Sequence, residues 1–205
     1  MSFLALLAPI AAYAIFLFWY GGRGRPLTQQ EVDGFLDRVA AHNVDRDDPE
    51  LFESLKRLLS RDDGREFVMV NLIRYRDKAA YPPGSSFGDN AIDADKRYAR
   101  AFFPHLLRYG NVPIFISRRS GSFIEPSNAE PWQVVAMIRY RSRRDFIRSV
   151  SAVMGKDVMI HKWAAIDTTH VFPVRPIFSF IAVRWAVALF IAVAASLVYS
   201  FALAG

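Results

Sequence analysis

The tetrapeptide Ile-Arg-Tyr-Arg occurs twice, at Ile73–Arg76 and at Ile138–Arg141, and the residues before it match as well. Val70-Asn71-Leu72 stands where Val135-Ala136-Met137 stands in the second copy. Each copy closes an apolar run, FVMVNLIRY at Phe67–Tyr75 and WQVVAMIRY at Trp132–Tyr140. Runs of this length, rich in β-branched and aromatic residues and apolar at successive positions, predict strands covered on both faces. A chain that writes one such strand twice is constrained to build the same unit twice.

The flanking segments supply the rest of each unit. After the first copy comes a loop rich in proline, glycine and serine (YPPGSSFGDN), then a helix from about Ile92 to Tyr109 stopped by Gly110-Asn111. Pro104 inside that helix predicts a bend. Pro113–Ser117 and Gly121–Ile124 are expected to form one strand, interrupted by Arg118–Ser120. After the second copy, Ser142 and Asp145 cap a helix with apolar residues Phe146, Ile147, Val150 and Met154, followed by Gly155. His161–Val171 reads as the last strand. Residues 67–174 therefore read as β-α-β-β-α-β, an α+β, ferredoxin-like sheet. Helices on one face leave the other bare. The apolar character of both repeated strands then calls for a second copy of the chain, giving a homodimer.

Both ends of the chain are apolar. Phe3–Tyr20 carries no charge, and about 18 residues at 1.5 Å rise reach roughly 27 Å, close to the hydrocarbon thickness of a bilayer. A cleaved signal peptide is the rival reading, but it favours basic residues ahead of a shorter apolar run. The second stretch, 177–203, is interrupted only by Arg184, which can reach the interface beside Trp185. Ala188, Ala192, Ser196, Ser200 and Ala204 line one face of it and suit close helix packing. Arg23 and Arg25 follow the first run, and Arg175 and Arg184 precede the uncharged stretch of the second, so the positive-inside rule places the central part in the cytoplasm and both termini outside. Between them, 26–66 reads as a two-helix adaptor. Thr28 and Glu31 form a capping box, Asp48-Pro49 starts the second helix, and Gly64 ends it.

The segments FVMVNLIRYRDKAAYP, KRYARAFFPHLL, WQVVAMIRYRSRRDFIRSV and HKWAAIDTTHVFP resemble a small bacterial family of unknown function in the dimeric α/β-barrel superfamily. The resemblance covers about Phe67–Val174. It implies the ferredoxin-like fold and dimerisation. The chain departs from the usual soluble members in carrying two membrane spans, and a bacterial cytoplasmic membrane is their expected setting. The resemblance does not imply a reaction, because the superfamily holds cofactor-free monooxygenases, haem-binding enzymes, lactone isomerases and stress-responsive barrels alike.

The candidate site residues are few. Tyr98, Phe102 and His105 share a helix face, so Tyr98 and His105 are expected between helix and sheet. Asn71 is the polar intrusion in an apolar strand and needs partners or a ligand. Arg74 and Arg139 hold equivalent strand ends, where ion pairs or an anionic ligand would engage them. His161 is expected to open the last strand, with Asp167 and His170 beyond it. An extended strand holds His161 and Asp167 roughly 20 Å apart, which excludes a shared metal site within it. His42 falls in the adaptor. The chain has no cysteine, so it has no disulfide, thiolate centre or cysteine nucleophile. No phosphate loop or nucleophile elbow appears. The net charge of +6 and the run Arg139–Arg144 admit nucleic acid, but an arginine-rich helix start beside lipid headgroups is the simpler reading.

The expectation is a membrane-anchored, dimeric barrel domain that binds a small apolar or aromatic molecule, without metal, cofactor or nucleic acid. The enzymatic alternative is a cofactor-free monooxygenase or isomerase, with His105 as acid/base and Asn71 and Tyr98 orienting the substrate. The third reading is a structural membrane interaction protein.

Overall fold

The structure, a computed structural model, describes residues 3–21, 24–41, 49–177 and 183–204. His42 and Asp48 lie outside the described residues. The chain divides into two compact units, one of Met1–Gly22 with Pro176–Gly205, the other of Arg23–Arg175.

The first unit holds two apolar helices, α1 (Phe3–Gly21) and α7 (Val183–Ala204). Val183–Phe201 is long and apolar enough to cross a membrane. Arg184 sits in the first turn of α7, its guanidinium 4.9 Å from the Tyr20 ring centre, and its carbonyl accepts from the Tyr13 hydroxyl at 3.2 Å. Ser196 and Ser200 spend their hydroxyls on carbonyls one turn back, Ala192 and Ser196.

The second unit is α+β. It runs α2 (Gln29–Ala41), α3 (Pro49–Ser60), β1 (Phe67–Tyr75), α4 (Ala91–Arg108), β2 (Val112–Arg118), β3 (Val134–Tyr140), α5 (Arg143–Ser151), α6 (Val158–Ala165) and β4 (Ile166–Val174). The four strands form one antiparallel sheet in the order β2-β3-β1-β4. The first repeated strand occupies the residues its apolar run marks. Three expected strands differ. The strand of the second repeat begins at Val134, leaving Trp132 and Gln133 ahead of it. Gly121–Ile124 is not a strand, since β2 stops at Arg118 and a loop follows. The expected strand His161–Val171 is a helix as far as Ala165, and β4 begins at Ile166. Ala164 and Ala165 explain the helix: with almost no side chain they let α6 pack tightly on Ala94 of α4. The long helix runs on through Pro104.

The register explains the repeat. β1 and β3 are antiparallel, so the two Ile-Arg-Tyr-Arg copies lie at opposite ends of the sheet. Equivalent positions of the two copies face each other at one pair, Asn71 opposite Ala136. A local two-fold axis therefore passes there. Strand-end contacts follow the same symmetry. Arg139 on β3 pairs with Glu66, which precedes β1, and donates to the Gly110 carbonyl at 2.9 Å. Arg74 on β1 pairs with Glu130, ahead of β3, and with Asp167 at the start of β4.

Phe67 and Met69 pack beneath α4 with Phe102, Leu106, Tyr140 and Val153. Strand alternation turns Val68, Val70 and Leu72 to the opposite face. Cross-strand pairing adds Met137 and Val135 of β3, Phe115 of β2 and Phe172 of β4 to that helix-free face. A second core joins the adaptor to α5, with Val32, Phe35, Leu36, Val39 and Leu59 against Ile147, Phe146 and Val150. The adaptor thus belongs to the domain. Each of its fully covered side chains, Phe35 and Leu59 among them, contributes about 1.5–3 kcal/mol. Its capping box forms: the Thr28 N–H donates to Glu31 Oε2 at 2.8 Å and the Glu31 N–H to Thr28 Oγ1 at 3.3 Å.

The arginine run is spent on ion pairs within the domain. Arg139, Arg141, Arg143 and Arg144 keep 4, 17, 11 and 15% of their side-chain exposure. They pair with Glu66, Asp145, Asp62 and Glu31 in that order. Arg144 also donates to the Pro26 carbonyl at 2.6 Å.

Candidate functional site

The five candidate residues do not gather around one space. Asn71 satisfies its amide on its own sheet, donating Nδ2 to the carbonyls of Met69 at 3.1 Å and Ala136 at 3.2 Å. On the axis of the repeat, that bond ties the two halves together. Tyr98 stacks on Phe102 with ring centres 5.5 Å apart and packs into the core beneath α4, where burial raises its phenol pKa. His105 lies one turn further on, half-buried, and desolvation with Lys156 and Arg108 nearby lowers its pKa.

His161, placed by α6 instead of a strand, meets the loop after the first repeat. Its Nδ1 is 2.8 Å from the Tyr81 hydroxyl, and its ring stands edge-on to Phe87 at 4.7 Å. Arg97 lies over the other partner, 5.5 Å from the Phe87 ring centre. The Ala80 N–H donates to the Ala164 carbonyl at 2.9 Å, so the loop is also held through its backbone. Desolvation first, then the Arg97 charge, lowers the His161 pKa, against a smaller opposing pull from Asp157. His105 and His161 thus both have folded values below their ordinary value of 6.5. The unfolded chain takes up protons first as pH falls, so their contribution to stability is present above pH 6.5 and is lost below it. Thermal unfolding followed from pH 7.5 to 5 is expected to show a falling Tm. The fall should be shallower in the His105→Gln, His161→Gln double variant.

The open space lies elsewhere. A cleft of about 910 Å³ forms where the end of β1, the start of α4, the end of β2 and the segment before β3 meet. Arg74, Tyr75, Arg76 and Lys78 form one wall, Asn90, Ala91 and Ile92 a second, Arg118, Arg119 and Ser122 a third, and Pro131–Val134 the floor. Of the sequence candidates, Arg74 lines it. The loop held by His161 brings Asp77, Lys78 and Asp89 to its rim.

Its charges are mostly balanced. Arg74 is held by Glu130 and Asp167, Arg119 lies 2.5 Å from Glu125, and Lys78 is 3.5 Å from Asp89. Arg119 also lowers the Glu125 pKa through its hydrogen bond. Tyr75 donates its hydroxyl to Asp95 at 2.7 Å, and burial, then that carboxylate, raise its pKa. Two guanidiniums stand apart. Arg76 reaches Asp167 only at 3.5 Å, and its Nε is buried without a hydrogen-bond partner among the described residues. Arg118 has neither hydrogen bond nor ion pair for its side chain among the described residues. Chemically this is a roomy site with an aromatic floor at Trp132, spare donor capacity, and no histidine on its walls. Sequence reasoning passed over Arg118 and Trp132, and only their places at the two ends of a polar, strand-breaking segment could have marked them.

Two solved structures of the RPA0582 protein are similar to this chain, one of the methylated protein and one described as a protein of unknown function from Rhodopseudomonas palustris. They share 24% and 23% sequence identity with it, cover 65% and 64% of this chain and 96% and 97% of their own, and both have a TM-score of 0.57. That likeness concerns the fold alone. No protein-family model and no curated protein matches the chain.

Proposed function

We propose that this chain is a membrane-anchored protein whose cytoplasmic domain binds a small molecule in the cleft beside Arg118 and Trp132. The observation that carries the reading is an open space of ligand size with a guanidinium that the protein leaves without a carboxylate. Arg118 is exposed to this space, whereas Arg139, Arg141, Arg143 and Arg144 are each largely covered and paired with a carboxylate. The strand order β2-β3-β1-β4 with a helix-bearing connection on each side of the central hairpin supports a ferredoxin-like unit. The anchors are α1 and α7, the latter without a charge after Arg184. The arginines at 23, 25, 175 and 184 support a cytoplasmic domain with both termini outside.

The domain pairs with a second copy through its helix-free sheet face. Phe115 is 44% exposed there beside the half-buried Leu72, Val135, Met137 and Phe172, and a continuous apolar sheet surface of this kind is seldom left to water. Native mass spectrometry of the full chain released from lipid nanodiscs tests both parts. The expected result is the mass of two chains with a retained small molecule. Single chains with nothing bound would contradict it. Phe115→Glu sets a charge on the exposed edge of the face, where folding tolerates it, and is expected to shift the dimer to single chains at least tenfold in dissociation constant.

A further inference from the structure

Resting on the cleft reading above, we infer that the ligand is a planar aromatic molecule bearing one carboxylate. The donors left unengaged set the head group. In the other half of the domain, Arg139, Arg141, Arg143 and Arg144 each have a carboxylate. In the cleft, Arg74 has two and Arg119 has one. Arg118 has none among the described residues, and Arg76 shares Asp167 at 3.5 Å with its Nε unsatisfied. Arg118, exposed to the cleft, and Arg76, with its unsatisfied Nε, are the guanidiniums whose donors remain for a ligand. They match a single planar carboxylate, which a guanidinium fork engages through two parallel hydrogen bonds. A polyphosphate would place further negative charge against Asp77 and Asp89 on the same rim, where no spare cation remains to meet it.

The remaining lining sets the body of the ligand. Trp132, Pro131, Ile92 and Val134 give an apolar floor and wall beside the cations. An indole half-open to the cleft offers a face for ring stacking, worth about 0.5–1.5 kcal/mol beyond the area it covers. A guanidinium and an indole lining one space recognise a molecule that is charged at one end and flat at the other.

The test compares 2-naphthoate with its neutral isostere 2-naphthamide, by equilibrium dialysis against the full chain in nanodiscs with empty nanodiscs subtracted. Naphthoate is expected to bind at least tenfold more tightly. Arg118→Gln should remove that advantage and leave naphthamide unchanged, while Trp132→Leu should weaken both. Equal binding of the two, unaffected by Arg118→Gln but weakened by Trp132→Leu, would overturn the carboxylate assignment and leave the cleft as a binding site. No binding of either overturns the cleft reading together with this inference.

Discussion

Gly64→Ala is expected to destabilise the domain by about 3 kcal/mol, seen as a drop of roughly 10 °C in the thermal unfolding of the full chain. Two costs add at this position. Its φ is +72°, in the left-handed region where a side chain is strained by about 1–2 kcal/mol. A Cβ there would also lie 2.3 Å from the Gly24 carbonyl oxygen and 2.8 Å from the Arg25 carbonyl carbon. Both contacts are backbone, so no side chain can swing aside. The adaptor would have to lift from the turn ahead of β1. That movement would strain the neighbouring contacts of Arg144 with Pro26 and of the Leu27 N–H with Asp62 at 2.7 Å. Gly84→Ala separates the two costs. Its φ is +83° but nothing lies within 4 Å of the added carbon, so it should lose only the backbone part, about 1 kcal/mol. Equal losses at the two glycines would remove the close approach from the explanation.

Asn111→Ala is expected to cost about 3 kcal/mol, measured in the same way. Asn111 is wholly buried where α4 ends and β2 begins. Its Nδ2 donates to the Asp145 carbonyl at 3.0 Å and to Ser149 Oγ at 3.1 Å, and its Oδ1 accepts from the Arg141 N–H at 3.0 Å. One side chain therefore joins the end of the first half to the strand end and helix start of the second. Alanine would leave the Arg141 N–H without this acceptor in a part-buried place, and that desolvation cost, more than the lost bonds, sets the magnitude. Ser149→Ala is expected to cost about 1 kcal/mol, because the Asp145 carbonyl keeps the Asn111 amide as a donor. A loss at Asn111 no larger than at Ser149 would mean that the junction relaxes without it.

These two positions also mark how far the sequence could be read. Gly64 and Asn111 are legible as places where helices stop, since glycine and asparagine favour such ends. That each also meets a distant segment is invisible until the chain is folded. β1 was readable residue by residue because a strand covered on both faces needs an unbroken apolar run. The segment His161–Val171 misled because its apolar residues Trp163, Ala164, Ala165 and Ile166 fit strand or helix equally. Packing against Ala94 decided for helix. That decision moved His161 from a strand to the loop carrying Tyr81 and Phe87.

The site was the least legible part. Asn71, Tyr98 and His105 stood out as polar groups in apolar patterns, yet such groups are most often satisfied within the protein, and Asn71 is. The cleft is assembled from four segments far apart in sequence, ending β1, opening α4, ending β2 and preceding β3. Arg118 read there only as a break in a strand. Its significance depends on what is not beside it, and spacing along the chain carries no record of that.

The most direct measurement uses the absence of cysteine from the sequence. In the variant Ile92→Cys, the single thiol lies on the cleft wall in the first turn of α4. Its alkylation rate in the full-length protein in nanodiscs is read with and without 2-naphthoate. The account predicts a rate that falls at least fivefold as the cleft fills and is restored when Arg118→Gln is added. A rate unchanged at any concentration of ligand would contradict it.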